Sequence, residues 1–193
     1  MNGKPVHKQG KRSDAKHATS VTSQLDSSST AESILNKALK TSANKMGFRD
    51  VKQFIDCIKE GDPVACSYCH YNIAKELGEV LGSWDKNIKY IYAYGYDDNT
   101  SAEECAENVS PFSLVHMIIW AERKTKALTA MIETLDRAIT QHQCKLLCLN
   151  DLKHMLDIQV IDDADVKNRT GYAALLKSIY QTPVQVWGGN NNP

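Results

Sequence analysis

The chain reads as an α+β fold: a helical N-terminal lead-in of about three helices, then a strand-strand-helix-strand-helix-strand unit. That unit forms a four-stranded mixed sheet with helices packed on it. Three observations predict this. Residues 115 to 121 are apolar at every position but His116, the pattern of a strand covered on both faces. The segment after it repeats Leu128, Met131, Ile132, Leu135, Ala138 and Ile139 at three-and-four spacing, which defines an amphipathic helix. Ahead of both, residues 88 to 96 (IKYIYAYGY) alternate with period two, as a strand does.

Taken in order, residues 1–30 are polar and open with interrupted basic residues (Lys4, Lys8, Lys11, Arg12, Lys16). Such a segment buries too little apolar area to offset its ordering entropy and is expected to be a disordered tail. A nucleic-acid arm would need aromatics interleaved with those charges, and there are none. Order is expected from 31 to 187 as one domain, with 31–82 the helical lead-in and 87–187 the sheet and its helices. The first helix begins near Thr30–Ser33 and stops at Gly47. The second runs from Asp50 or Val51 to Glu60 with Val51, Phe54, Ile55 and Ile58 on one face. Gly61-Asp62-Pro63 then supplies a helix stop, an N-cap and a first-turn proline in succession. The third helix, from Val64 to about Leu81, carries the stripe Cys66, Cys69, Ile73, Leu77 and Val80, and Gly78 and Gly82 weaken its end.

The alternation from Asn87 places Ile88, Tyr90, Tyr92, Tyr94 and Tyr96 on one face of a strand, with Ile91, Ala93 and Gly95 on the other. An acidic loop leads to the apolar strand, and these two strands can pair as an antiparallel hairpin. The long helix permits a parallel, right-handed crossover to a third strand within MLDIQVID. Its residues Arg123, Lys124, Lys126, Glu133, Asp136 and Arg137 are expected to face water. A helix over roughly 165–180, a break at Thr182-Pro183 and a short strand over 184–187 follow. Residues 188–193 read as a disordered tail.

Composition limits function. Lys plus Arg and Asp plus Glu both total 23 in 193 residues. The zero net charge gives no global steering toward nucleic acid or an anionic membrane. No apolar run of about eighteen residues is present to span a bilayer. The N-terminus lacks the apolar segment of a secretory signal, and six cysteines then read as reduced thiols or ligands. The expected compartment is cytoplasmic.

Four sets of residues could carry chemistry. Cys66-Ser67-Tyr68-Cys69-His70 matches the C-x-x-C-H pattern of covalent haem attachment, but it lies in an apolar helical stripe of a chain with no export signal. Covalent haem is therefore set aside. Cys66, Cys69 and His70 share one helix face, and Cys57 across the Gly61-Asp62-Pro63 turn would complete a zinc tetrahedron. His142, Cys144 and Cys148 form an alternative partner set. The positive end of the helix would lower the thiol pKa values, favouring metal or thiol redox chemistry. Against this, buried cysteine is a common core residue, and the stripe with Ile73 and Leu77 needs no metal.

Asp162, Asp163 and Asp165 follow a strand, where α/β proteins often place magnesium ligands or catalytic carboxylates. The plainer role is to cap the next helix. Tyr90, Tyr92, Tyr94 and Tyr96 offer a partner surface, or the half-buried side of an ordinary strand. His116 reads as a hydrogen-bonded core histidine. No P-loop, dinucleotide fingerprint, nucleophile elbow or His-Glu-x-x-His occurs. The resulting expectation is a small interaction or regulatory protein without catalytic chemistry, needing no cofactor. Its partner would be a protein or a second copy of the chain, not nucleic acid or membrane. The alternatives are a zinc or thiol-redox protein using the cysteines, and an enzyme using the aspartates.

Overall fold

The computed structural model describes residues 26–95, 109–178 and 182–188. Tyr96, the basic N-terminal residues and residues 189–193 lie outside that set. Helix α1 (Ser27–Lys45) starts earlier than its apolar stripe requires, because the Asp26 carboxylate accepts the Ser28 and Ser29 N–H groups at 3.1 and 3.5 Å. The boundary expected at residue 30 therefore moves to 26. Helix α2 (Val51–Lys59) is capped by Asp50, and α3 (Pro63–Trp84) by Asp62 with Pro63 in its first turn. Gly61, at φ +81°, makes the reversal between them, in a region where other residues are strained.

The four strands are β1 (Ile88–Ala93), β2 (Val115–Ala121), β3 (Leu156–Ile161) and β4 (Val184–Gly188), in the spatial order β3-β2-β1-β4. The sheet is mixed: β1 pairs antiparallel with both β2 and β4, and β2 pairs parallel with β3. The parallel pair is joined through α4 (Lys126–Leu147), capped by Thr125 and ended by Cys148 in the left-handed conformation. The long helix is thus the crossover that its length permits.

One face of the sheet carries the main core. Ile91, Ala93, Val115, Met117, Ile119, Ala121 and Leu156 join buried residues of α1, α2, α3 and α4 in a single cluster. The most enclosed helix is α3, which packs against α1 on one side and β1, β2 and β4 on the other. Small residues permit that approach. Ala65, Ser67, Ala74, Gly78 and Gly82 are all buried, so α3 is covered well beyond its single apolar stripe. The lead-in is therefore part of the core.

Three sequence expectations are corrected here. Ile88 does not share the tyrosine face, because a register shift between Ile88 and Tyr90 turns it into the main core. The helix expected over roughly 165–180 is, across its described residues to 178, instead α5 (Asp163–Asn168), a left-handed Arg169 at φ 53°, and a 3-10 helix over Gly171–Lys177. Asp136, assigned to water by its place on the helix, is buried. Its carboxylate accepts the backbone N–H groups of Met155 and Leu156 and the His154 ring. No helix among the described residues is long and apolar enough to cross a membrane.

Candidate functional site

The second face of the sheet is only partly covered. Ile118, Ile161 and Ala173 form a small buried cluster, with Tyr92, Tyr94, Trp120, Val166, Leu175 and Leu176 packed around it. The cover is the short α5 and the 3-10 helix. Across the strands the rings touch in series: Tyr92 and Tyr90 at 6.2 Å between centroids, Tyr90 and Trp120 at 5.3 Å. Just past the end of β1, Tyr94 meets His116 at 5.1 Å and Tyr172 of the 3-10 helix at 6.1 Å. Tyr90, Tyr92 and Tyr94 therefore share a face as their spacing predicts. Tyr92 and Tyr94 are half-buried within a second core, and Tyr172 is an exposed addition that no strand pattern could indicate.

Polar groups converge where β1 ends and β2 and β3 begin. His116 Nδ1 donates to Asp157 Oδ2 at 2.9 Å, Tyr94 donates its hydroxyl to the same oxygen at 3.2 Å, and Gln159 Nε2 donates to Oδ1 at 2.7 Å. The parallel register sets His116 opposite Asp157. Burial works to raise the Asp157 carboxyl, but the three donors outweigh it and hold the group below the usual carboxylate range. Burial and then the Asp157 charge push the Tyr94 hydroxyl above the usual phenol range, so Tyr94 stays a donor. His116 is hydrogen-bonded as expected, but it is not a core residue: its side chain is 39% exposed. Asp157 and Gln159 fall within an apolar-looking strand, and only the register with β2 reveals them.

At the opposite end of the sheet the three aspartates are occupied. Asp162 caps α5 and forms a reciprocal capping box with Asp165. Asp163 accepts Lys89 Nζ at 2.9 and 2.7 Å and Trp120 Nε1 at 2.8 Å. Asp165 pairs with Lys124 at 2.7 Å and accepts the Thr170 hydroxyl. Lys89 and Trp120 hold the Asp163 carboxyl low, and Lys124 does the same for Asp165. These contacts account for all three as helix cap and ion pairs.

The cysteine set lies in the main core. Cys66, Cys69 and His70 are each almost fully buried on α3, while Cys57 sits half-buried on α2. The expected lowering of the thiols by the helix end does not occur. Burial, followed by the Asp62 carboxylate, raises Cys66 to about 11, and burial raises Cys69 to about 12. Burial also raises Cys57, assisted by Asp62, Glu60 and Asp56. His70 is pushed down to about 4 by burial and is neutral at pH 7. The alternative partners are engaged elsewhere: His142 Nε2 with the Ser28 hydroxyl, and the Cys144 thiol with the Leu152 carbonyl. Among the described residues, no group of three His, Cys, Asp or Glu side chains is arranged to hold a metal ion.

Fold and site together define a mixed α/β domain with one face of its sheet sealed by helices and the other lined by aromatic rings. Comparison with protein-family models, curated proteins and solved structures found no match for this chain.

Proposed function

We propose that this chain is a protein-interaction module that binds through the second face of its sheet, and that its occupant is a different protein with an uncharged, apolar contact surface. The observation that carries this is the ring series Tyr92–Tyr90–Trp120, continued by Tyr94 and the exposed Tyr172. Tyrosine and tryptophan combine a large apolar area with a polar tip and few rotatable bonds, which is why they anchor protein interfaces. Charge complementarity selects the occupant. Lys89 and Lys124, the cations nearest the ring series, are paired with Asp163 and Asp165, which weakens the attraction of this face for a nucleic acid.

The test is capture from an extract of the source cell, comparing wild type with a Tyr90→Ala, Tyr172→Ala double variant. Both positions lie at the margin of the second core, so the variant is expected to fold. The reading requires that the same protein be held by wild type and lost by the variant. Equal capture by a folded variant would remove this face as the contact surface. Sedimentation over a range of concentrations covers the other occupant: a dimer that the two substitutions dissolve would replace the hetero-partner with a second copy.

A further inference from the structure

We propose that His116 is a general base oriented by Asp157, and that the pair acts on an uncharged carboxylic ester or related acyl compound with a flat apolar portion. This goes beyond the interaction reading and uses a different property of the same face. The argument rests on which atoms are engaged. Asp157 accepts His116 Nδ1 at 2.9 Å, so the proton of a neutral ring sits on Nδ1 and the Nε2 lone pair is left free. Nε2 makes no hydrogen bond among the described residues, and the ring is 39% exposed. The carboxylate is itself locked by Gln159 on its own strand and by Tyr94 just past the end of β1. Base, orienting carboxylate and supports for that carboxylate are the arrangement that acid–base and acyl-transfer chemistry requires.

The surroundings choose the substrate. Among the described residues, the groups near His116 are Tyr94 just past β1, Asp157 and Gln159 from β3, and, beyond Tyr94, the Tyr172 ring, with neutral His70 behind the sheet. None of these carries positive charge, so a phosphoester would meet a carboxylate without a compensating cation. A neutral carbonyl compound meets no such penalty, and the Tyr94 and Tyr172 rings offer its apolar part a surface. In the step assigned, Nε2 takes a proton from water as the water oxygen bonds to the carbonyl carbon. The carbon–oxygen bond to the alcohol then breaks, and Nε2 returns the proton to the leaving oxygen. Ester and water become acid and alcohol, with no oxidant or reductant.

A second pair serves as the internal control. His154 Nδ1 contacts Asp136 Oδ2 at 2.8 Å, but its ring is 73% exposed, and Asp136 serves mainly to hold backbone N–H groups. The experiment is hydrolysis of p-nitrophenyl acetate by the full chain in a Cys148→Ser background, because that exposed thiol would also be acylated. The expected result is a rate at least about tenfold above an equal concentration of free imidazole. That rate should vanish in His116→Gln, fall at least about tenfold in Asp157→Asn, and persist in His154→Gln. A rate no higher than that of imidazole, or one retained by folded His116→Gln, overturns the proposal. Should His116→Gln fail to fold, carbethoxylation of the wild type by diethyl pyrocarbonate decides. His116 modified faster than His154 supports the proposal, and His116 modified more slowly overturns it.

Discussion

Asp136 holds the backbone nitrogen of Leu156 at 3.0 Å and that of Met155 at 2.9 Å, both through Oδ1. A carboxylate on the crossover helix therefore caps the start of the strand to which that helix leads. The Met155 carbonyl in turn accepts the Val115 N–H at 2.8 Å, so the same point sets the beginning of the parallel ladder. Replacement by alanine leaves two buried N–H groups without partners, each costing about 1–3 kcal/mol. Asp136→Ala is expected to lower the unfolding free energy by about 2–4 kcal/mol in urea titrations. Asp136→Asn keeps an acceptor oxygen and should lose about half as much.

That residue also marks how far sequence reading reaches. The cap at Asp62, the long crossover helix and the third strand all follow from local signals. What escaped is what depends on register and burial. Asp136 looked solvated because helical periodicity places a residue on a face without saying what lies opposite. Asp157 stays hidden in the sequence because a polar residue in a short apolar run carries no mark of its neighbour, and only the pairing with His116 reveals it. The sequence shows only one stripe of the covered circumference of α3, since alanine, serine and glycine leave little hydrophobic signal at the positions where close packing needs them.

The buried His70 ties stability to pH. Its ordinary value of 6.5 falls to about 4 in the fold, first through burial and then through the positive potential of His116. The native state therefore stays unprotonated in a window where the unfolded chain takes up a proton. This contribution to stability is whole above about pH 6.5 and declines toward pH 4, by up to about 1.4 kcal/mol per pH unit. Among the described residues, the Nδ1 atom is also buried without a hydrogen-bond partner. His70→Leu should flatten the slope of unfolding free energy between pH 6.5 and 4 and leave the protein at least as stable as wild type at pH 5. An unchanged slope would assign the acid sensitivity to other groups.

Thiol reactivity should divide sharply by position. With Cys66 raised to about 11 and Cys69 to about 12, both remain thiols at pH 8 and both are buried, whereas Cys148 is exposed. The nucleophile is the thiolate, so iodoacetamide on the native chain should label Cys148 while Cys66 and Cys69 stay unmodified until denaturant is added. Mass spectrometry of the digested protein reads this directly. Rapid native labelling of Cys66 or Cys69 would show that α3 opens locally far more often than its burial implies.

Gly82 on α3 packs directly against Trp187 on the edge strand β4. A methyl group on Gly82 would overlap the indole ring itself, and one on Gly78, a turn earlier, would press on Val186. Glycine in a helix costs about 1 kcal/mol relative to alanine, so alanine here would be favourable if propensity decided. Packing opposes it. The indole lies against Gly82 and belongs to the main core, so relief requires the ring to swing out or β4 to shift along β1. Overpacking of this kind costs about 1–3 kcal/mol, which exceeds the gain in propensity. Gly82→Ala is therefore expected to destabilise the fold and to shift Trp187 fluorescence to the red as the ring meets water. Trp84 and Trp120 also emit, so the comparison needs the same substitution in a Trp187→Phe background, where the spectral change should disappear and the loss of stability should shrink. A Gly82→Ala variant more stable than wild type would mean that β4 yields to the helix at negligible cost.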